Sequence, residues 1–339
     1  MDAHEQLAAG QLAENEGDFV AAASVYRASL SATDERVVAE AHFLLGRVSW
    51  RQGRIDAALA EYESARTLAD RLGDAELHAC VDNGLGAIHY ARGDYESARA
   101  AYASAASRTM DTSLRGKLLL NLGVIENAEG NIDAAWEHYD RAIHLFEECG
   151  DSQSAILALH NRGMVEAERT NWAEADATFV RALAMATTAG SRELIAKTLV
   201  NRSEVLVELD ALSEAVEHCD EALSIYSAIG DEVGRGEALR WRAHALGRAG
   251  QHLLAERNAS EALHIAMRAG ARLLEAQAAR DLGVLRGLLG DRAGGVKELR
   301  RALALFTELG AKREAADVGA LLQHPTPNRS LQRLPPEPG

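Results

Sequence analysis

The sequence predicts an all-α solenoid of eight helical hairpins followed by a single capping helix. Three observations lead to this fold class. The five prolines of the 339-residue chain all lie at residue 325 or later, and one interior proline costs a helix about 3 kcal/mol. Turn signals recur every 36 to 40 residues, and small residues repeat at fixed distances from each turn. A constant period of this size is the sequence signature of a repeat protein.

Short turns inside the hairpins divide the chain into eight units. They lie at Gly17-Asp18, Gly53-Arg54, Gly93-Asp94, Gly130-Asn131, Thr170-Asn171, Asp210-Ala211, Gly250-Gln251 and Gly290-Asp291. A second series, such as "RLGD" at 71–74 and "AIGD" at 228–231, separates each hairpin from the next. Glycine supplies the left-handed residue that ends many helices. Each unit is therefore a first helix, called helix A, a tight turn, and a second helix, called helix B.

Small residues repeat on both helices of each unit. Seven residues before the turns stand Gly10, Gly46, Gly86, Gly123, Gly163, Ser203, Ala243 and Gly283. Five residues after the turns stand seven alanines and Gly295, and four residues further on an aromatic side chain follows in the first five units. A glycine inside a helix costs about 1 kcal/mol relative to alanine. We therefore expect a second helix backbone to approach helix A closely at this position.

The end of the chain differs from the repeats. Residues 311–322, "AKREAADVGALL", predict a helix that caps the array, as the exposed end of a solenoid requires. The proline-rich residues 323–339 predict a disordered or polyproline-like tail. The predicted organisation is thus a solenoid over residues 1–322 and a tail over residues 323–339.

The repeats resemble a known family. "LGRVSWRQGRIDAALAEYESA" at 45–65 and "LGVIENAEGNIDAAWEHYDRA" at 122–142 are similar to the tetratricopeptide repeat, most of all to the 40-residue variant of kinesin light chains, Pins/LGN adaptors and bacterial regulators. The resemblance implies a right-handed superhelix whose helices A line a concave groove. The chain departs from the family in lacking the proline that closes the shorter repeat, and its last three units lack the aromatic residue.

Composition excludes several classes of function. A net charge of −15 argues against nucleic acid or an anionic membrane as a partner, since either needs a basic face. Three cysteines without a CxxC motif and an acidic N-terminus without a secretory signal predict a cytoplasmic protein. Motifs for phosphate binding, zinc or nucleophilic catalysis are absent from the sequence, so neither a cofactor nor an enzyme is predicted.

One pair of residues could still suggest chemistry. "EHCD" at 217–220 places His218 beside Cys219, as in a nucleophile with its base. However, Cys219 occupies the position that tyrosine or phenylalanine holds in the first five units. We therefore interpret Cys219 as a core residue.

Three asparagines, Asn121, Asn161 and Asn201, stand 40 residues apart on helix A. Because a carboxamide both donates and accepts, such a row could bind the backbone of an extended peptide. The resemblance supports this interpretation, since similar asparagine rows bind peptides in the kinesin light chain and Pins/LGN arrays. The alternative is that each amide binds a neighbouring helix or a water molecule.

Other residues on helix A extend the predicted peptide site. Basic and aromatic groups that could hold a carboxylate are Lys117, Lys197, His160, Arg240, Trp241 and His244. Trp50 and Tyr90 could anchor a partner side chain. The alternatives are solvated lysines, salt bridges between units, and aromatic rings buried against the next helix. The helix A positions predicted to be exposed carry seven basic and seven acidic residues, so the groove is predicted to be neutral. The basic residues are Arg47, Arg51, Lys117, Lys197, Arg240, Arg248 and Arg280, and the acidic residues are Glu14, Glu40, Glu168, Glu204, Glu208, Glu237 and Asp281.

The sequence thus predicts a non-enzymatic adaptor that binds an extended segment of another protein. The alternative function is a sensor of a peptide or small ligand that acts in trans on a transcription regulator or an enzyme. Self-association through Arg329 and Arg333 of the tail is a further alternative, so a homo-oligomer stays open.

Overall fold

The computed structural model describes residues 3–323, which form seventeen α-helices and no strand. The helices are α1 (Ala3–Asn15), α2 (Phe19–Ser29), α3 (Glu35–Arg51), α4 (Ile55–Leu72), α5 (Ala75–Ala91), α6 (Tyr95–Arg108), α7 (Thr112–Ala128), α8 (Ile132–Cys149), α9 (Ser152–Glu168), α10 (Trp172–Ala189), α11 (Arg192–Glu208), α12 (Leu212–Ile229), α13 (Glu232–Arg248), α14 (His252–Ala269), α15 (Arg272–Leu288), α16 (Arg292–Glu308) and α17 (Lys312–Gln323). Odd-numbered helices from α1 to α15 are helices A, and even-numbered helices are helices B. The predicted all-α fold of eight hairpins and a final helix is confirmed. The predicted tail lies outside the described residues after Gln323.

The chain divides into two compact units, Met1–Ala158 and Leu159–Gly339, and the division falls within α9. Successive helices pack against each other from α1 to α8 in the first unit and from α10 to α17 in the second. Helices A also contact each other directly, as α3 contacts α5 in the first unit and α11 contacts α13 in the second. Within residues 3–323, no helix combines the length and apolar character that a membrane crossing requires.

Turn geometry follows the glycine pattern, with two departures. Gly250 lies in the turn after helix A of its hairpin and adopts the left-handed conformation with φ 79°, as the sequence predicts. At the equivalent positions of two other hairpins, Thr170 and Asp210 adopt φ 60° and 61°. This conformation costs a non-glycine residue about 1–2 kcal/mol. The hairpin contacts around these turns therefore outweigh the local backbone preference.

The helix A glycines receive an aromatic ring, not a helix backbone, in the first five hairpins. A Cβ atom on Gly86 would lie 2.3 Å from Cε1 of Tyr102, and one on Gly46 would lie 2.6 Å from Tyr62. The same relation joins Gly10 to Tyr26, Gly123 to Tyr139 and Gly163 to Phe179. All five rings are at most 3% exposed. The expectation of a close backbone approach was wrong for these hairpins, because the ring sixteen residues later fills the space.

In the last hairpin, α15 and α16 pack against each other without an aromatic ring at this position. On Gly283 a Cβ would lie 2.8 Å from Leu299 and 3.0 Å from the carbonyl oxygen of Gly295. On Gly295 a Cβ would lie 2.7 Å from the carbonyl oxygen of Gly283. Here the backbones of α15 and α16 do approach closely, as expected from the sequence.

Replacing Gly86 with alanine should destabilise the protein by up to about 2 kcal/mol. Overpacking against Tyr102 costs about 1–3 kcal/mol, and the gain in helix propensity offsets about 1 kcal/mol of that. Gly319→Ala on α17 is the matched control, because nothing lies within 4 Å of its Cβ position. That control should stabilise the protein slightly. Chemical unfolding monitored by circular dichroism measures both changes, and equal effects at the two sites would contradict the role of the ring.

Candidate functional site

Four of the predicted residues lie on the neighbouring helices A α9 and α11 of the second unit. We call His160, Asn161, Lys197 and Asn201 the amide site. Asn201 lies on α11, and its Nδ2 donates to Nε2 of His160 on α9, with a separation of 2.9 Å. The same Nδ2 lies 3.1 Å from Sδ of Met164, one turn further along α9. One amide of the row thus holds two successive helices A together.

His160 is buried and neutral in this arrangement. It is 6% exposed and its ring meets Phe179 edge to face at 6.0 Å. Burial, and secondarily the positive charge of Lys197, lower the pKa of His160 from 6.5 to about 3. A neutral imidazole accepts the Asn201 hydrogen bond through its unprotonated Nε2. His160 therefore orients Asn201 and offers no positive charge to a ligand.

Asn161 and Lys197 are the two members of the amide site with free polar groups. Asn161 is half-buried, and within residues 3–323 its carboxamide makes no hydrogen bond. Lys197 is exposed and forms no ion pair with any described residue. Its effect on the pKa of His160 shows that its charge lies near the imidazole. The amide site thus combines an unused donor and acceptor with an unpaired cation.

In the first unit, the amide row continues with a residue that the sequence reasoning missed. Nδ2 of Asn121 on α7 donates to Oδ1 of Asn83 on α5 at 3.0 Å. Asn83 lies ten residues before the turn of its hairpin, whereas Asn121 lies nine residues before the turn of its own. The two asparagines therefore occupy different positions in the repeat, and the 40-residue spacing does not indicate that they pair. Lys117 is exposed and its Nζ lies 3.8 Å from Oδ2 of Asp151, which also accepts from Ser113.

The two candidate aromatic anchors are half-buried within the first unit. Trp50 packs at the edge of the core cluster that contains Tyr62 and Ile88. Tyr90 stacks on Tyr95, with ring centroids 5.5 Å apart and planes 25° from parallel. Burial raises the pKa of Tyr90. Both rings therefore already have partners inside the protein.

Arg240, Trp241 and His244 belong to a buried ionic cluster on α13 and α15. Nε2 of His244 lies 2.6 Å from Oδ2 of Asp281, and Nε of Arg280 donates to Oδ1 of Asp281 at 3.0 Å. The guanidinium of Arg240 lies 3.6 Å from Oδ2 of Asp281 and 4.5 Å from the Trp241 ring centroid. Burial by itself would raise the pKa of Asp281, but His244, Arg280 and Arg240 hold it far below its usual value.

This cluster corrects the assignment of exposed groove positions. The sequence reasoning placed Arg240, Arg280, Asp281 and Glu14 on an open surface, whereas each is at most 5% exposed. Glu14 accepts hydrogen bonds from the Tyr26 hydroxyl at 3.1 Å and from Arg47 at 2.7 and 2.9 Å. The reason is that successive helices A contact each other directly, so part of their shared face is a seam and not a groove wall.

Cys219 is a core residue, as the sequence analysis interpreted it. Its side chain is fully buried, and burial raises the pKa of the thiol to about 12. Its neighbour His218 lies near Arg202, which also pairs with Asp176 at 2.7 Å. A thiol kept protonated in this way is a poor nucleophile. Across residues 3–323, no group of three or more His, Cys, Asp or Glu side chains is placed to hold a metal ion.

Comparison with known proteins identifies the repeats. Residues 37–109 and 114–188 match the family model of the tetratricopeptide repeat. The regulatory protein AfsR of Streptomyces coelicolor is 27% identical over 136 residues, which cover 40% of this chain and 14% of that protein. The match therefore spans a small part of the length of this curated relative.

Solved structures show the same fold at low sequence identity. The apo form of RapI has a TM-score of 0.71 and is 14% identical in sequence. The match covers 95% of this chain and 96% of the RapI chain. A signal transduction ATPase with numerous domains from Pyrococcus horikoshii, which has a tetratricopeptide repeat sensor, has a TM-score of 0.72 and 15% identity over 94% of this chain and 50% of its own. A Rap protein complexed with competence and sporulation factor has a TM-score of 0.64 and is 12% identical in sequence. The match covers 98% of this chain and 99% of the Rap chain.

Replacing His160 with glutamine should flatten the pH dependence of stability. Because the folded-state pKa of about 3 is below the ordinary 6.5, the stability linked to neutral His160 is complete above pH 6.5 and is lost as the pH falls toward 3. Wild type should lose about 1.5 kcal/mol more than His160→Gln between about pH 6.5 and pH 5.

Chemical unfolding at the two pH values measures this difference. Glutamine can still accept the Asn201 hydrogen bond, so the variant should stay folded. The control is His144→Gln, since His144 is exposed on α8. It should keep the wild-type pH dependence. An unchanged pH dependence in His160→Gln would show that His160 is not buried as a neutral group.

Proposed function

Residues 37–109 and 114–188 match the tetratricopeptide repeat. On that premise we propose that the chain is a non-enzymatic adaptor that binds an extended segment of another protein. Solenoids of this kind use the surface along their repeats for binding. The proposed contact surface is the helix A side of the second unit, centred on the amide site. The observation that carries the proposal is that the carboxamide of Asn161 on α9 and the ammonium of Lys197 on α11 have no hydrogen-bond or ion-pair partner within residues 3–323.

The amide site suits the backbone of an extended peptide. Asn161 can donate to a peptide carbonyl and accept from a peptide N–H at the same time. Asn201 spends its Nδ2 on His160 and keeps its carboxamide oxygen free of hydrogen bonds within residues 3–323. Because such bonds reach the backbone, they would tolerate many side chains on the ligand.

Lys197 gives the proposed site a preference in charge. The unpaired ammonium stands out on a chain of net charge −15, because most arginines of the described residues lie in ion pairs. A carboxylate near the ligand backbone, from a C-terminus or an acidic side chain, would pair with it. We therefore propose that the bound segment carries an acidic group beside the stretch held by Asn161.

Replacing Asn161 with alanine should weaken partner binding about tenfold, the effect of losing one to two buried hydrogen bonds. Stability should stay unchanged, because this carboxamide has no partner within residues 3–323. Affinity capture with wild type and variant as baits, quantified by mass spectrometry, measures the loss. Asn171→Ala is the matched control, since Asn171 is an exposed asparagine that makes no side-chain cap hydrogen bond. If Asn161→Ala retains every wild-type partner, the amide site is not the binding surface.

A second function, a sensor that acts in trans on a transcription regulator or an enzyme, is supported by the kinds of protein that share the fold. These include a tetratricopeptide repeat sensor and a Rap protein complexed with competence and sporulation factor. A sensor binds a small ligand that changes its own conformation or stability. Adding a peptide pool should then raise the unfolding temperature of the isolated chain. An unchanged unfolding temperature together with captured protein partners would favour the adaptor.

A further inference from the structure

A cleft between α6 and α8 in the first unit lies apart from the amide site. It has a volume of about 350 Å³, and we call it the basic cleft. Its lining includes Arg115, Leu118, Leu119, Leu122, Arg141 and Leu145. Arg115 and the three leucines from 118 to 122 lie on α7, on a face different from that of Lys117 and Asn121.

Helix α6, which contributes to the lining of the basic cleft, is shorter than most helices B. This helix has 14 residues, whereas the helices B α4, α8, α10, α12 and α14 have 18. Ala106, in its last turn, lines the cleft. The chain leaves the helix at Thr109, whose hydroxyl donates to Glu76 at 2.6 Å, and the N–H of Met110 donates to the same carboxylate at 2.8 Å. The early exit is therefore held in place, and about one helical turn is missing.

The missing turn leaves part of the apolar floor uncovered. Leu119 is half-buried. Its counterparts eleven residues before other turns, Leu199, Leu239 and Ala279, are at most 6% exposed. The helix B that precedes each of these three residues along the chain has 18 residues. The cleft thus offers apolar surface that the rest of the array buries.

The charges at the cleft differ from those in the equivalent hairpin of the second unit. Arg235 and Glu261 occupy the positions of Arg115 and Arg141 there, and their side chains lie 3.6 Å apart. In the basic cleft both positions are arginine, both are exposed, and neither forms an ion pair with any residue in 3–323. The ion pair of that one hairpin is replaced here by two like charges. An anion between them would relieve the repulsion that they create.

We infer that the basic cleft binds an acidic amphipathic segment of a partner protein. A carboxylate of that segment lies between Arg115 and Arg141, and its large apolar side chain covers Leu119. The segment takes the place of the turn that α6 lacks, so a helical turn fits the space. Charge complementarity and the missing turn determine this choice of occupant over a free anion, which would leave Leu119 uncovered.

The critical variant is Arg141→Glu, because it recreates the Arg235–Glu261 arrangement of the second unit. Arg115 then has a partner inside the chain, so the variant should fold at least as well as wild type while losing the anion site. Arg66→Glu is the matched control, since Arg66 is an exposed arginine of the first unit that makes no ion pair within the described residues. Both variants change the net charge equally. Arg141→Ala serves as a second variant if the glutamate impairs folding.

The probe is a displayed library of random 12-residue peptides, selected on the full chain. Sequences that bind wild type and are lost on Arg141→Glu should carry Asp or Glu three or four residues from Leu, Ile or Phe. One such peptide, labelled and titrated, should bind the Arg141→Glu variant about tenfold or more weakly than it binds wild type. The same peptide with its Glu replaced by Gln should bind wild type more weakly by a similar factor. Binding to Arg66→Glu and to Asn161→Ala should equal that to wild type.

Three outcomes would overturn the inference. The first is a selection that yields no peptide distinguishing wild type from Arg141→Glu. The second is equal loss of binding on Arg66→Glu, which shows a general charge effect. The third is tight binding of dodecanoate to wild type without any selected peptide, which shows a site for small amphiphiles.

Discussion

The contact between a helix A glycine and an aromatic ring of helix B is the constraint on which the first five hairpins depend. Each ring lies where a Cβ atom on helix A would collide with it. The residue seven positions before the turn must therefore be glycine while the ring is present. Tyr62 extends this contact to the next hairpin, because its ring also lies 2.6 Å from the Cβ position of Gly84 on α5. One side chain thus sets the spacing within a hairpin and between two hairpins. Where the ring is missing, the helices compensate with smaller groups, and α15 and α16 meet backbone to backbone.

A second regularity appears where successive helices A meet. The residue nine positions before a turn contacts residues ten and six positions before the preceding turn. Asn201 follows this rule with His160 and Met164, and Asp281 follows it with Arg240 and His244. The position can therefore hold an amide or a carboxylate when the preceding helix A supplies a partner. This explains why Asn121 and Asn201 stand inside helices that gain nothing from the intrinsic propensity of asparagine, whereas Asn161 makes no such bond within residues 3–323.

The same seam limits which residues can meet a ligand. Charges that a helical projection places on the open face become buried ion pairs once the neighbouring helix A is in place, as Asp281 and Glu14 show. Residues without an internal partner stand out against this background. They include Asn161 and Lys197 in the second unit and Arg115 and Arg141 in the first. The two proposed contact surfaces differ in chemistry, since one offers a neutral amide with a lysine and the other offers two arginines over leucines.

The sequence by itself determined the fold class, the hairpin count and the small residues of the core. These follow from local rules, because glycine turns, the absence of proline and a fixed period each act within about 40 residues of chain. It also identified Cys219 as a core residue through its place in the repeat. It could not separate the half-buried Asn161 from the engaged Asn121 and Asn201, nor foresee the burial of Arg240 and Trp241 or the pairing with Asn83. Only the tertiary structure decided these points, because the partner of each side chain lies on another helix about 40 residues away, and a shift of one position changes which residues meet.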